Sequence, residues 1–279
     1  MSDFQNVATI YGRWLEAVSH RDWATASNHI ASELIRNDET ISSITFLQDL
    51  QKRAEAIPDI KTEIFMVVAD KTSGKIASII THRGTLVKPY KGFEVTREQI
   101  EWSEYVFCEF NNEKMDSYTS LSDCDTVGNT STHMSNPPTS NRIINGKSDL
   151  GLEILYQQYI HAINTLTMAE HFPSYCQAQV VHNGRRLSMD EYRGFIESSF
   201  DEIQGLRFTI AKLVADEEAQ RIAARLEFSG RPVTEFRGIQ PTGNEVEFSE
   251  HVLYELDDGK IARVWSVLDL EAYRASLED

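Results

Sequence analysis

The pattern of apolar and polar residues along this chain occurs twice. Residues 76–123 align with residues 222–269 without a gap, at an offset of 146 positions. The identical pairs include Gly84 and Gly230, Glu104 and Glu250, and Asp123 and Asp269. A repeat of this length is a whole domain, because solenoid units have roughly 20–50 residues. The chain is therefore predicted to be a tandem duplication.

Each half is predicted to begin with helices. Apolar residues at helical spacing mark the first helix of each half. Shorter helices are expected around residues 22–30 and 168–175, and a third helix follows each of them. In the second half Ser188 and Glu191 have the spacing of a capping box, which predicts where the third helix starts.

Three strand-like segments follow the helices in each half. They are residues 60–70, 75–85 and 100–110, matched by residues 206–216, 221–231 and 246–256. A further strand, residues 260–268, follows the Asp-Asp-Gly turn of the second half. Helices followed by an antiparallel meander make each half α+β. The last strand is apolar on both faces and must be covered on both sides, so the two sheets are predicted to pack together as a pseudo-twofold dimer.

The boundary between the halves is visible in the composition. Residues 125–149 are rich in Ser, Thr, Asn, Pro and Gly and lack apolar periodicity, as is typical of a linker. The domains are therefore predicted at residues 4–124 and 150–277.

Composition narrows the class of protein. A hydrophobic content of 41% and a charged content of 25% are typical of globular proteins. The 27 basic and 43 acidic residues give a net charge of −16. This charge argues against binding to nucleic-acid phosphates or to anionic membrane surfaces, since both need a basic face.

Cysteine usage and the N-terminal pattern narrow the location. Cys108, Cys124 and Cys176 are scattered and suggest neither a disulfide framework nor a zinc site. The N-terminal residues have the pattern of an amphipathic helix rather than a signal peptide, and no apolar run reaches membrane-spanning length. We expect a cytoplasmic protein.

Five short segments of the second half occur in a characteristic order. They are residues 182–184, 238–243, 246–248, 254–261 and 265–269. In order and spacing they resemble the SnoaL-like polyketide cyclase family of the nuclear transport factor 2-like superfamily. The resemblance implies a cone of curved sheet closed by helices. It also implies a cofactor-free site in which a carboxylate, helped by His or Tyr, moves protons on a polyketide- or terpenoid-like substrate.

The first half departs from this pattern. Residues 94–97 and 112–114 replace the Pro-Thr-Gly and Asp-Gly-Lys turns, and Thr119 replaces Trp265. We therefore expect the second half to hold the active pocket.

Asp269 matches the family's acidic residue after the last strand, and Asp123 has the same place in the first half. A carboxylate at the rim of an apolar cone has a raised pKa because it loses solvation, which suits acid–base work near neutrality. The alternative is a cap on backbone amides at the strand end. We predict that Asp269 is the general acid–base and that Asp123 is the quieter counterpart.

Three histidines are candidates for proton transfer. His251 lies within a strand, His182 ends a strand-like run, and His82 precedes a glycine turn. A structural role is the alternative for each. We predict His251 or His182 as the partner of Asp269, and His82 as a substrate contact. Nothing in the spacing of these residues calls for a metal ion.

Four aromatic residues are predicted to contact the substrate. Tyr11 and Trp14 lie on the first helix, Tyr159 is the counterpart of Trp14, and Trp265 lies in the last strand. Core packing is the alternative. A cone lined by such rings suits a planar hydrophobic ligand.

These features predict a cofactor-independent cyclase or isomerase of a hydrophobic secondary metabolite. A dehydratase-type lyase and a non-catalytic ligand-binding or scaffold protein are the alternatives. The predicted partners are a small hydrophobic substrate and the sister half of the chain, and a further homodimer is left open.

Overall fold

The computed structural model describes residues 7–90, 95, 99–123, 138, 144 and 146–278. The chain divides into two compact units, Met1–Ser131 and Thr132–Asp279. Most of the predicted linker, together with Cys124, lies outside the described residues.

The described residues of the first unit form three helices and six strands. In chain order they are α1 (Val7–Ser19), α2 (Trp23–Asn28), β1 (Ile30–Arg36), β2 (Glu39–Ser42), α3 (Ser43–Ala56), β3 (Lys61–Asp70), β4 (Lys75–Thr85), β5 (Gln99–Asn111) and β6 (Lys114–Ser122). The buried residues of α1 follow the predicted helical spacing.

The second unit repeats this order and adds one helix. Its elements are α4 (Leu152–Asn164), α5 (Met168–Tyr175), β7 (Cys176–His182), β8 (Arg185–Ser188), α6 (Met189–Glu202), β9 (Ile203–Asp216), β10 (Arg221–Pro232), β11 (Val246–Asp257), β12 (Lys260–Leu268) and α7 (Leu270–Glu278). The predicted capping box begins α6: the backbone N–H of Glu191 donates to Ser188 Oγ at 3.2 Å, and the Glu191 carboxylate accepts from the backbone N–H of Ser188 at 2.7 Å.

Each unit has one six-stranded sheet, ordered β2-β1-β6-β5-β4-β3 in the first unit and β8-β7-β12-β11-β10-β9 in the second. The α+β class and the repeat are confirmed. The sheets are mixed rather than wholly antiparallel, because β1 pairs with β6 in parallel and β7 pairs with β12 in parallel. Both sheets have free edge strands and are open rather than closed into barrels.

A glycine shared by the two halves permits close packing of backbone. A Cβ on Gly230 in β10 would lie 2.6 Å from Ile203 Cγ2 and 3.2 Å from Leu206 Cα. A Cβ on Gly84 in β4 would meet Ile57 Cγ2 at 2.4 Å. In both units the chain that follows the third helix passes over this position, and only glycine leaves room for it.

Helices pack against the sheet in each unit. In the second unit α4 contacts β9 and β10, and α6 contacts β7, β8 and β9. The apolar core of that unit fills the space between these helices and the sheet. No helix among the described residues is long and apolar enough to cross a membrane.

Candidate active site

A cavity lies between the helices and the sheet of the second unit. The space open to the centre of a water molecule is about 70 Å³. Its walls come from α4, α6, the five strands β7 and β9–β12, and the turn between β10 and β11. Phenylalanine, tyrosine and aliphatic side chains form most of this lining. The cavity is thus apolar with a few polar groups, which is the usual character of a small-molecule site.

Glu250 supplies a carboxylate to this lining. Alternate residues of β11, namely Phe248, Glu250, Val252 and Tyr254, line the cavity, because side chains of a strand point to opposite faces in turn. Burial raises the pKa of Glu250 to about 7, although a hydrogen bond from Ser266 and the positive charge of Arg237 lower it. A carboxyl group with this pKa can both accept and donate a proton at neutral pH.

His182 and Ser266 connect to this carboxylate. Ser266 Oγ lies 3.4 Å from His182 Nε2 and also hydrogen-bonds Glu250. A serine hydroxyl has one proton to donate, so a Ser266 that donates to the carboxylate accepts from the His182 ring. We refer to these three side chains, which contact one another in series, as the Glu250 path.

Asn183 holds this path in place. Its Oδ1 accepts from the backbone N–H of Ser266 at 2.9 Å, and its Nδ2 donates to the Ser266 carbonyl at 3.0 Å. Asn183 has a positive φ of 44°, a conformation that asparagine adopts more readily than most residues. In the first unit Asn37 has the same conformation and accepts from the backbone N–H of Ser120 at 2.8 Å.

Four tyrosines form two hydroxyl pairs beside the cavity. The Tyr159 and Tyr192 oxygens are 2.9 Å apart, and the Tyr156 and Tyr254 oxygens are 3.3 Å apart. Burial raises the pKa of Tyr159, Tyr192 and Tyr254 well above 10.0. These phenols are therefore neutral hydrogen-bond donors at physiological pH.

The structure brings His182 and Tyr159 together but not the other predicted residues of the second half. His251 and Trp265 are buried, and the cavity lining contains neither of them. His251 follows Glu250 in β11, and Trp265 precedes Ser266 in β12. Because side chains of adjacent strand residues point to opposite faces, both residues point away from the face that carries the Glu250 path.

Asp269 begins α7 instead of lining the cavity. Its Oδ1 accepts from the backbone N–H of Ala272 at 2.9 Å, and its carbonyl accepts from that of Tyr273 at 3.1 Å, which is the geometry of a helix N-cap. Its side chain borders a separate polar groove with Arg225 and Glu247. The sequence offered a cap on backbone amides as the alternative role of Asp269, but it did not reveal that the capped amides belong to helix α7.

The corresponding carboxylate of the first unit has close polar partners. Glu104 Oε2 lies 3.2 Å from Arg53 Nη1 and 3.0 Å from His82 Nε2. Tyr118 Oη donates to Glu104 Oε1 at 3.1 Å, and His82 Nδ1 lies 2.9 Å from Thr62 Oγ1. Four of these residues are buried, namely Glu104, Arg53, His82 and Tyr118. His82, predicted as a substrate contact, is thus a member of a buried polar network.

Tyr11 and Trp14 belong to the core of the first unit. The Tyr11 hydroxyl lies 2.6 Å from Ser78 Oγ, and the Trp14 ring packs on Phe46 and Tyr118. Both residues are at most 1% exposed. Asp123 follows β6, and its backbone N–H donates to Ser103 at 2.9 Å, just as that of Asp269 donates to Ser249 at 2.8 Å.

The repeat explains why the two carboxylates differ. At the offset of 146, three partners of Glu104 are replaced around Glu250. The pairs are Arg53 and Ser199, His82 and Phe228, and Tyr118 and Val264. All three replacements line the cavity of the second unit. Without the ion pair, the imidazole and the phenol, open space remains beside Glu250. The carboxyl group is also buried without an ion-pair partner, and this burial raises its pKa.

Sequence reasoning did not single out Glu250, Ser266 or Arg237 as site residues. One signal was present, since Glu104 and Glu250 are identical in the two copies and lie within a strand. Among the residues that the structure describes, no three His, Cys, Asp or Glu side chains are arranged to hold a metal ion.

Comparison with known proteins places these observations in a family. The SnoaL-like polyketide cyclase family profile matches residues 8–128 and again residues 153–277. A SnoaL-like polyketide cyclase from Agrobacterium tumefaciens is 35% identical, with a TM-score of 0.44, over 46% of this chain and 98% of its own. TsrD from Streptomyces laurentii is 22% identical, with a TM-score of 0.41, over 45% of this chain and 93% of its own. No functionally curated protein matches the chain.

Proposed function

The chain belongs to the SnoaL-like polyketide cyclase family, and on that premise we propose that its second unit is an acid–base cyclase with Glu250 as the proton-transfer group. The observation that carries this proposal is a carboxyl group with a pKa of about 7 in an apolar, tyrosine-lined cavity. The substrate is a hydrophobic molecule with a carbonyl group and an acidic C–H bond next to it.

Glu250 takes the first proton. The carboxylate accepts a proton from the carbon next to the substrate carbonyl, and the electron pair of that C–H bond moves to form an enolate. The enolate carbon attacks a second carbonyl carbon of the same molecule, which forms the ring C–C bond. The resulting alkoxide takes its proton from the Glu250 carboxylic acid, which restores the carboxylate.

The tyrosine pairs hold the negative charge that forms on oxygen. Tyr159, Tyr192 and Tyr254 line the cavity with Glu250. A neutral phenol that is already positioned stabilises an enolate oxygen without the reorganisation that water needs. The step requires a base and an oxyanion donor, and side chains of this cavity supply both.

His182 and Ser266 tune the carboxylate. A hydrogen bond from Ser266 favours the charged form of Glu250. Because His182 contacts Ser266, the imidazole sets the direction in which that hydroxyl donates. We assign the two residues to positioning Glu250 and to passing protons to and from its carboxylate.

We propose a structural role for the first unit. Arg53, His82 and Tyr118 occupy the two oxygens of Glu104, so this carboxylate is engaged with the protein. The non-catalytic interpretation of the sequence thus applies to one half of the chain.

The test is deuterium exchange at the acidic carbon of 1-tetralone, a bicyclic aryl ketone, followed by NMR in heavy water. Wild-type protein should accelerate exchange, and Glu250→Gln should lower the catalysed rate by roughly 10²–10⁴-fold, as expected for one acid–base group. Glu247→Gln is the matched control, because Glu247 is exposed and lies on the other face of β11. An undiminished rate in Glu250→Gln would contradict the proposal.

A further inference from the structure

A tight turn places an arginine at the edge of the cavity. Phe236 and Ile239 exchange backbone hydrogen bonds of 3.0 and 2.9 Å across the two residues between them. Arg237 and Gly238 have φ values of +51° and +81°. Positive φ at both central residues is typical of a type I′ turn, which favours Asn or Gly at the position that arginine occupies here.

The guanidinium lies over two rings of the cavity wall. Arg237 Cζ is 4.9 Å from the centre of the Phe195 ring and 5.6 Å from that of the Phe236 ring. These cation–π contacts fix the orientation of a long side chain. Arg237 lines the cavity and is also exposed to solvent, so its charge stands where the cavity opens.

Arg237 makes no ion pair with any carboxylate of the described residues. The nearest carboxylate in sequence, that of Glu235 in the same turn, accepts a hydrogen bond from Gln240 instead. The charge of Arg237 acts on Glu250, but through space rather than by direct contact. In a chain with 43 acidic and 27 basic side chains, an arginine kept out of ion pairs at a cavity mouth is available to a ligand.

We propose that Arg237 binds a carboxylate of the substrate at the cavity mouth, while the hydrophobic ring system of the substrate fills the interior. The proposal rests on the proposed function, because it concerns the same cavity. The planar guanidinium binds a carboxylate through two parallel hydrogen bonds. A carboxylate so held fixes which end of the substrate reaches Glu250. Arg237 is thereby a residue that determines specificity.

The test compares two probes of one shape, 2-naphthoate and its neutral amide 2-naphthamide, by titration calorimetry on the full chain. Wild-type protein should bind 2-naphthoate roughly tenfold or more tightly, the usual worth of a hydrogen-bonded charge. Arg237→Gln should remove this preference and leave the affinity for 2-naphthamide unchanged. Arg237→Lys should retain part of it, since lysine keeps the charge but not the paired geometry.

Arg231→Gln is the control for net charge, because Arg231 is exposed, pairs with Glu245 and is absent from the cavity lining. It should bind both probes as wild type does. Equal affinity of wild-type protein for the two probes, or an unchanged preference in Arg237→Gln, would overturn this proposal alone and leave the 1-tetralone result intact. If neither probe binds, this proposal is wrong, and so is the assumption that the cavity binds a ring system.

Discussion

The raised pKa of Glu250 depends on the side chains that surround it. Ser199, Phe228 and Val264 offer it no cation, whereas Arg53 at the first of these positions ion-pairs with Glu104. A carboxylate that loses water without gaining a cation has its pKa raised. The ion-paired glutamate of the first unit and the titrating glutamate of the second thus differ in the side chains at these three positions.

The first prediction concerns pH. Base catalysis needs the carboxylate, so exchange of 1-tetralone should rise through a midpoint near pH 7, the pKa of Glu250, and then level off. Glu250→Gln should show no such midpoint. A wild-type profile that is flat between about pH 5 and about pH 9 would contradict the assignment.

The same shift has a consequence for stability. The pKa of Glu250 is raised in the folded state, so the folded protein binds more protons between about pH 4.5 and about pH 7. The stabilisation from its proton is complete below this window and is lost as the pH rises through it. Denaturant unfolding of wild type should therefore lose stability across this window relative to Glu250→Gln.

At this scale the sequence predicted His182 and Tyr159 as site residues, and the structure places both in the cavity. It did not single out Glu250, because the value of that residue comes from its surroundings. Those surroundings are apolar side chains of several elements far apart in the chain, which no local pattern brings together. Whether Asp269 and His251 act in catalysis stays a prediction.

At the scale of elements, short-range sequence patterns were sufficient to predict several strands and the start of one helix. The strands predicted at residues 75–85 and 246–256 are observed at Lys75–Thr85 and Val246–Asp257, and the capping box begins α6 where expected. The parallel pairing of β7 with β12 was not predictable, since strand partners distant in sequence leave no periodicity. Of the hairpin of β7 and β8 the sequence showed only the strand-like run that ends at His182, and helix α7 was missed, because these elements are short.

Helix α7 provides the test of Asp269. Asp269→Ala removes the N-cap and should lower the free energy of unfolding by about 1 kcal/mol, whereas Asp269→Asn keeps a capping oxygen and should cost less. Neither change should alter the 1-tetralone exchange rate at a pH and temperature where the protein is folded. Loss of exchange in Asp269→Asn would return the acid–base role to Asp269.

At the scale of the whole molecule, the duplication yields two units of one fold with different interiors. The cavity described here belongs to the second unit, and the equivalent glutamate of the first unit is ion-paired. We therefore expect the full chain to bind one molecule of 2-naphthoate, measured as the stoichiometry of calorimetric titration. Two equivalent sites per chain would show that the first unit also opens. The pairing of the units as a pseudo-twofold dimer stays a prediction.

The glutamate that is identical in the two copies has different surroundings in each unit. Removal of the carboxylate at Glu104 would leave Arg53 buried without its partner, a cost of about 3–5 kcal/mol, and a typical domain has only about 5–15 kcal/mol in total. If the proposed function holds, natural selection would retain Glu104 for the stability of the folded protein and Glu250 for catalysis. In a duplicated protein, a residue that is identical in both copies does not reveal which copy carries the function.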